Sequence, residues 1–181
     1  TQAFIGNGSI VNSSGAVNVN ANTDNQATAK AQGGTAGFAG LGATVALVKD
    51  ESGTDAYLGD NTSIEQAGAV GIKADYKGDV KSEAIVVAGG FVGAGASVAK
   101  AEITGTNQAY TGTNSKIGQT AAVTSLQLTA NNNSKAKANA IAGAAGVGAG
   151  AGSAATAVVN PASKALIGGG TKLTTTGNVA V

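Results

Sequence analysis

The chain contains no cysteine, histidine, methionine, tryptophan or arginine, and it has a single proline. Without cysteine it can form neither a disulfide nor a thiolate metal site, and it has no thiol nucleophile. Without histidine, its serine and threonine hydroxyls lack the base that usually activates them in nucleophilic catalysis. Aromatic residues make up only 3% of the chain, so a large core of bulky side chains is not expected.

Charge is also scarce. Charged residues make up 12% of the sequence and the net charge is +1, so we expect no nucleic-acid partner and no basic surface for an anionic membrane. No apolar run approaches the roughly 20 residues of a membrane span, and no membrane insertion is expected. The 43% of hydrophobic residues argues against disorder. Because most of them are alanine and valine, burial must accumulate over many thin layers.

The segment KADYKGDVKSEA, residues Lys73 to Ala84, alternates with a period of two. Its odd positions carry six charges of alternating sign, and its even positions carry mostly small or apolar side chains. Side chains of a β-strand alternate between two faces, so the pattern predicts a strand with one charged face and one inner face. A helix would scatter both sets around its circumference.

The same alternation occurs 53 residues earlier and 56 residues later. Every outer position of the two further copies is polar, and these residues are Asn20, Asn22, Asp24, Gln26, Thr28 and Lys30, then Thr129, Asn131, Asn133, Lys135, Lys137 and Asn139. The facing positions are mostly alanine, which fits a narrow interior.

Two further blocks recur at the same spacing. A nonapeptide with alanine first, glycine fourth and an aliphatic residue ninth starts at Ala3, Ala56, Ala109 and Ala165. A glycine-rich block starts at Gly37, Gly90 and Gly146. Because these glycines recur at the same position of each repeat, they predict tight bends or close approach of the backbone. Self-similarity at a fixed period is typical of a solenoid. We therefore predict one solenoid segment, 1–181, divided into repeats 3–55, 56–108 and 109–164 and a partial repeat, 165–181.

Turn signals subdivide each repeat. A three-residue insertion in the third copy predicts a loop at Gly118–Ser125. Asn, Asp and Gly predict a turn inside the first strand of each repeat, at Thr23–Asn25, Lys77–Asp79 and Asn132–Ser134. Another turn is predicted before each later nonapeptide, at Asp50–Thr54, Thr104–Asn107 and Asn160–Ser163. Each repeat would then hold about five short strands.

These patterns predict an all-β fold, a right-handed parallel β-helix (β-solenoid) built from three to four repeats of 53 residues or slightly more. Right-handedness follows because parallel strands joined by crossovers are overwhelmingly right-handed. Coils of roughly 20–28 residues would give about two coils per repeat and about seven in all, about 4.8 Å apart. A stacked antiparallel β-meander is the alternative, because Val70–Ala88 is compatible with one unbroken strand.

The units AYLGDNTSIEQAGAVGIKAD and GFVGAGASVAKAEITGTNQAY resemble repeats of large secreted bacterial exoproteins, the filamentous haemagglutinin-like adhesins and leukotoxin-like proteins. Ala56–Asp60 and Gly93–Ala99 carry the match, whereas Ala165–Gly168 departs from it. The resemblance implies a stalk exported by an autotransporter or two-partner route to the bacterial cell surface, associated with the outer membrane. It also implies a host-cell surface or extracellular matrix component as partner, and a role in virulence. Since the pattern starts and stops midway, we expect an excised part of a longer array.

Chemical sites are few. The densest acid group, and the only candidate for a glycosidase pair, comprises Asp50, Glu51, Asp55 and Asp60. It lies in a predicted turn without an aromatic platform, so we interpret it as solvated and expect no enzymatic activity. The nonapeptide of calcium β-rolls is absent, and neither a metal nor a cofactor site is predicted. The glycines at Gly90–Gly95 and Gly168–Gly170 match no phosphate-binding motif. Lys73, Lys77 and Lys81 are not expected to act as catalytic bases, because they would be solvated and next to carboxylates.

Aromatic residues share repeat positions. Phe4, Tyr57 and Tyr110 occupy one position, and Phe38 and Phe91 occupy another. We predict that each set forms a stacked column inside the solenoid rather than a ligand-stacking ladder. The polar row of Asn, Thr and Lys residues is the better candidate for contact with carbohydrate or another surface.

The favoured hypothesis is a non-catalytic stalk segment of a secreted, cell-surface adhesin or leukotoxin-like exoprotein. One alternative is a β-helix carbohydrate-binding module or polysaccharide-cleaving enzyme, which would need a groove that breaks the repeat symmetry, as Asp50–Asp60 does. Another is a self-assembling extracellular fibre subunit, because uncapped solenoid ends expose unpaired strands that can associate end to end.

Overall fold

The computed structural model describes residues 1–181, of which 76% lie in strands and none in a helix, so the predicted all-β class is confirmed. It contains no helix that is both long and apolar enough to cross a bilayer. The strands are β1 (Gln2–Ile5), β2 (Ile10–Asn12), β3 (Val17–Asp50), β4 (Thr54–Leu58), β5 (Ser63–Gln66), β6 (Ala69–Ile103), β7 (Thr106–Thr111), β8 (Lys116–Ile117), β9 (Ser125–Ala145), β10 (Gly148–Val159), β11 (Ala162–Leu166), β12 (Lys172–Leu173) and β13 (Val179–Ala180).

All strand pairs are parallel and join equivalent positions of successive repeats. Phe4 lies opposite Tyr57, and Tyr57 lies opposite Tyr110. Two four-stranded sheets have the orders β1-β4-β7-β11 and β2-β5-β8-β12, and a third joins β3, β6, β9, β10 and β13. These parallel sheets are those that a β-solenoid requires, and the antiparallel meander is wrong.

The prediction of two coils per repeat is wrong. Paired residues are one whole repeat apart, so each repeat supplies a single layer. The reason is that β3 and β6 run unbroken for 34 and 35 residues, through the predicted turns at Thr23–Asn25 and Lys77–Asp79; β9 likewise runs through Asn132–Ser134. Backbone pairing with the adjacent layers outweighs the local turn preference of Asn, Asp and Gly. The turns before the later nonapeptides are present but shorter than predicted, at 51–53, 104–105 and 160–161, and the loop beginning at Gly118 is confirmed.

The short strands and the start of each long strand surround the main core, which we call the head. Its fully buried side chains include Leu58, Ile64, Ile72, Ile117 and Leu126. The aliphatic ninth residue of the nonapeptide supplies one column of this core, in which Ile64 lies opposite Val11 on one side and Ile117 on the other. The conserved spacing of the repeat therefore produces a continuous apolar column.

Each long strand extends away from the head, turns and comes back, and the paired lengths form a thin blade. We call 17–36, 69–89 and 125–145 the outgoing arms, and 39–50, 92–103 and 148–159 the return arms. The two arms face each other, since the Ser82 hydroxyl donates to the Ala46 carbonyl oxygen at 2.6 Å. Between them lie small side chains, with Ala46, Ala84 and Ala99 in one buried cluster. The predicted narrow alanine interior is confirmed.

Glycines in phase form the turn at the blade tip. Gly37 and Gly146 have φ of 155° and 157°, values that residues with a side chain rarely adopt. A Cβ atom on Gly90 would lie 2.2 Å from the Gly37 carbonyl oxygen, and one on Gly146 would lie 2.2 Å from that of Gly90. The recurrence of these glycines therefore serves close backbone approach between layers, as predicted.

Candidate functional site

The outer surface of the outgoing arms next to the head, as far as Lys30, Glu83 and Asn139, concentrates the polar groups of the chain, and we call it the polar face. Nearer the blade tip the outer side chains are mostly apolar, and Val87 and Ile141 are 57% and 48% exposed. Its rows run across the layers in register, from Asn20, Lys73 and Thr129 at one end to Lys30, Glu83 and Asn139 at the other. The alternate residues of β6 point inward and are buried. The period-two prediction from Lys73–Ala84 is confirmed, because charged and small side chains lie on opposite faces.

Ion pairs connect the polar face both within and between layers. Lys77 Nζ lies 2.9 Å from Asp24 Oδ2 in the preceding layer, and this hydrogen bond raises the pKa of Lys77. Within β6, Lys73 Nζ lies 2.6 Å from Asp75 Oδ2, and Lys81 pairs with Asp79 at 3.6 Å. All these side chains are substantially exposed to solvent, which screens their charges, so the pairs contribute little to stability.

The third layer of this face is basic. Lys135 and Lys137 lie in register with Asp79 and Lys81, but neither forms an ion pair. The outer row of β9 contains no acid, whereas that of β6 has three acids and three lysines. The polar face therefore changes from mixed charge to positive charge along the stack.

A shallow groove crosses the polar face, lined by Asn22, Thr23, Asp24, Asp75, Tyr76, Lys77, Asn131, Asn132 and Asn133. Within it, Asn131 Nδ2 donates to Asp75 Oδ1 at 2.8 Å. Burial alone raises the pKa of Asp75, but the hydrogen bonds from Lys73 and Asn131 outweigh it, so the net pKa is below the ordinary value. Amide and carboxylate groups at regular spacing can exchange hydrogen bonds with hydroxyl groups of a ligand.

The acids proposed as a glycosidase candidate do not act as one group. Asp50 is buried, with 4% of its surface exposed, whereas Glu51 is paired with Lys49 at 2.6 Å. Asp55 accepts from Gln2 Nε2 at 3.3 Å. Asp60 accepts from the Thr113 backbone and hydroxyl at 2.7 and 2.9 Å. No group of three or more acids is placed to hold a metal ion.

Asp50 instead has a structural contact that the sequence analysis missed. The Tyr76 hydroxyl donates to Asp50 Oδ2 across the blade, and the Ser52 backbone N–H donates to Oδ1 at 2.9 Å. Burial raises the pKa of the Asp50 carboxyl, but hydrogen bonds, first that of Tyr76 and then those of Ser52, outweigh it and leave the pKa below its ordinary value. Burial and the Asp50 carboxylate raise the pKa of Tyr76, so the hydroxyl remains a donor. The alternation of side chains along β3 places Asp50 on the inner side of the strand, and this is the signal in the sequence for an internal contact.

The Asp50–Tyr76 contact predicts a pH dependence. Because the pKa of Asp50 is lower in the folded chain than in the unfolded one, its stabilisation is present above about pH 4 and is lost as the pH falls through the folded pKa. Asp50→Asn should lower the free energy of unfolding at neutral pH by about 1–3 kcal/mol and make its decrease towards low pH shallower. Urea denaturation at a series of pH values measures both effects.

The control for this prediction is Asp24→Asn, which removes a carboxylate whose side chain is 55% exposed and paired with Lys77. Its effect at neutral pH should stay within about 1 kcal/mol. If Asp50→Asn and the wild-type chain lose stability in parallel as the pH falls, Asp50 does not contribute to acid sensitivity.

The aromatic columns are stacked as predicted, but their predicted internal position is wrong. Phe4 and Tyr57 have ring centroids 5.1 Å apart, and those of Tyr57 and Tyr110 are 4.8 Å apart. Phe38 and Phe91 stack at 5.3 Å at the blade tip. Phe4, Phe38 and Phe91 are 56%, 79% and 54% exposed. Because Tyr57 lies between two parallel rings, both of its faces are covered, and it cannot provide a stacking platform for a sugar ring.

The glycine clusters occupy structural positions. Gly90–Gly95 lies within β6, where a Cβ on Gly93 would be 2.9 Å from the Ala145 carbonyl oxygen. In the other cluster, Gly170 has φ of 73° in the turn before β12. The glycines therefore permit close layer contact and a turn.

Comparison of the chain with protein-family models, with curated proteins and with solved structures found no match.

Proposed function

We propose that this chain is a non-catalytic stalk segment of a secreted bacterial adhesin or leukotoxin-like exoprotein at the cell surface, and that it supports adhesion to host cells or other surfaces. The observation that carries the proposal is the continuous register of the repeats, with equivalent residues opposite one another in all three sheets. We further propose that the coil is right-handed, since parallel crossovers overwhelmingly have that hand.

The layer geometry suits a stalk because length is proportional to repeat number. Each repeat adds one layer, and neighbouring strands of a sheet are about 4.8 Å apart. The first two long strands alone pair from Val17 opposite Val70 to Asp50 opposite Ile103. A layer is therefore held to the next along most of its perimeter, so tension along the stack is distributed over many backbone hydrogen bonds.

The distribution of acids favours this proposal over a polysaccharide-cleaving enzyme. Asp50 is hydrogen-bonded inside the blade, Glu51 is paired at the surface, and Asp60 joins the turns of two successive layers. Hydrolysis of a glycosidic bond needs two carboxyl groups on opposite sides of one sugar site. Each of these acids has a separate contact that accounts for its position.

Deletion of one complete repeat, residues 56–108, tests the proposal. The deletion joins Asp55 to Ala109, and Asp55 normally lies opposite Gln108, so the register of the junction is preserved. We expect a folded β-rich chain that is one layer shorter. Pulling on a single molecule should release about 190 Å less chain, at about 3.6 Å per residue for the 53 deleted residues. Cells that display the whole exoprotein should attach as well with this deletion as without it.

The enzyme alternative is tested separately with Glu51→Gln and Asp55→Asn together, leaving the buried Asp50 intact. We expect the wild-type chain and this variant to leave polysaccharides equally uncleaved. Cleavage by the wild-type chain that is lost in the variant, or loss of attachment when residues 56–108 are removed from a chain that still folds, would contradict the stalk proposal.

A further inference from the structure

The outer surface of the return arms is apolar and solvent-exposed, and we call it the apolar face. Its members by layer are Leu41, Ala43, Val45 and Leu47, then Ala94, Ala96 and Val98, then Gly150, Gly152 and Ala154. Leu41, Leu47 and Val98 are 70%, 63% and 42% exposed. No charged residue occurs in 31–48, 84–99 or 138–163. One side of the distal blade is therefore a sheet surface without polar side chains.

The composition of the apolar face matches that of a buried sheet surface. The interior of the blade is formed by the facing arms and contains alanine, glycine, serine and threonine together with the buried Val86. The apolar face has alanine, glycine and valine with added leucine, but nothing covers it. Sheets whose facing side chains are small and apolar pack against each other. The apolar face thus has the side chains of one half of a sheet-on-sheet contact.

The size of the side chains on this face decreases across the layers. Along one row of the register, Leu41 is followed by Ala94 and then by Gly150. Along another, Val45 is followed by Val98 and then by Ala154. The first layer is therefore raised and the third is recessed. Such a gradient is complementary to itself when a second copy is rotated by 180° about the middle strand.

We propose that the apolar face binds a second copy of this chain, with a two-fold axis that runs along the return arm of β6. Under this rotation Leu41 meets Gly150 of the second copy, and Val45 meets Ala154. Val98 lies on the axis and meets Val98 of the second copy. The contact is isologous and closes after two copies, so it produces a dimer rather than a filament.

The size of the apolar face sets the strength of this dimer. Three strands about 4.8 Å apart and about 20 Å long give about 300 Å² per copy, well below the roughly 800 Å² per partner of a standard interface. Lys100, in register with Leu47, and Glu102 continue the row of Val98 towards the head and are paired with each other at 2.7 Å. On the same axis, Lys100 of each copy lies beside Glu102 of the other, so these charges are compensated at the rim of the contact. We therefore expect a dimer that dissociates at micromolar concentrations.

Val98→Lys tests the proposal, because it places two like charges against each other on the axis. Sedimentation velocity over the micromolar range should show a monomer–dimer equilibrium for the wild-type chain. The variant should raise the dissociation constant at least about tenfold. The matched control is Val87→Lys, on the same strand and 57% exposed, but on the outgoing arm. It should associate like the wild-type chain.

Single cysteines give a second readout that does not need a charge in the interface. The chain has no cysteine, so Val98→Cys and Val87→Cys each introduce one thiol. A short bis-maleimide should link copies of Val98→Cys and leave Val87→Cys as monomers. The proposal is overturned if the wild-type chain is monomeric. It is also overturned if Val98→Lys leaves the association unchanged, because end-to-end stacking of the solenoids would not respond to this substitution. Flotation of a monomeric chain with lipid vesicles, lost in Val98→Lys, would assign the face to a membrane instead.

Discussion

Replacement of Ile64 by alanine is expected to lower the free energy of unfolding by about 2–5 kcal/mol. Ile64 is fully buried in the head, and it lies between the equivalent residues of the preceding and following layers, Val11 and Ile117. Removal of its terminal carbons leaves a cavity in the middle of this column. Guanidinium denaturation followed by the far-ultraviolet signal of the strands measures the change.

Ile10→Ala is the matched control, because Ile10 belongs to the equivalent short strand of the first layer but is 75% exposed. Its effect should stay within about 0.5 kcal/mol. Equal losses for both isoleucines would show that the head is not the main source of stability. A loss confined to Ile64 assigns that stability to the apolar columns.

Gly112→Ala is expected to destabilise the chain by about 1–3 kcal/mol or more, because overpacking here acts against backbone. A Cβ on Gly112 would lie 2.5 Å from the Asp60 nitrogen and 2.5 Å from the Gly59 carbonyl carbon, both in the preceding layer. These atoms cannot move aside without separating two layers, since the Gly112 N–H donates to the Leu58 carbonyl oxygen at 2.7 Å. Thermal and denaturant unfolding of the variant measure the loss.

Gly169→Ala provides the comparison, since a Cβ at that position has no atom within 4 Å. It should leave the midpoint of unfolding unchanged or raise it slightly, because alanine restricts the unfolded chain. If Gly112→Ala unfolds at the same denaturant concentration as Gly169→Ala, the layers can separate at this corner without cost. That result would contradict the close approach inferred for the fourth residue of the nonapeptide.

The arrangement of faces could be predicted from the sequence because alternation is a local property. The charged and small positions of Lys73–Ala84 identified both the polar face and the narrow interior. The nonapeptide also held information that the prediction of internal aromatic columns did not use. In Ala56, Tyr57 and Leu58, the first and third residues point into the head, so alternation places the ring outside.

Other features depend on long-range contacts that no local pattern reveals. The turn preference at Lys77–Asp79 is overridden by the layers on either side. The contact between Asp50 and Tyr76 depends on where the strand folds back at the blade tip, and the sequence does not give that distance. The number of coils was predicted wrongly for the same reason. A repeat can be divided into coils only when the path of its longest strand is known.

The one-to-one relation between repeats and layers has a genetic consequence. Unequal recombination between equivalent codons of neighbouring repeats adds or removes one whole layer and creates no mismatched junction. Insertions of other lengths are accommodated only where the chain leaves its sheets, as in the segment between β8 and β9. A gene of this design can therefore change the reach of its product in fixed increments within a single event.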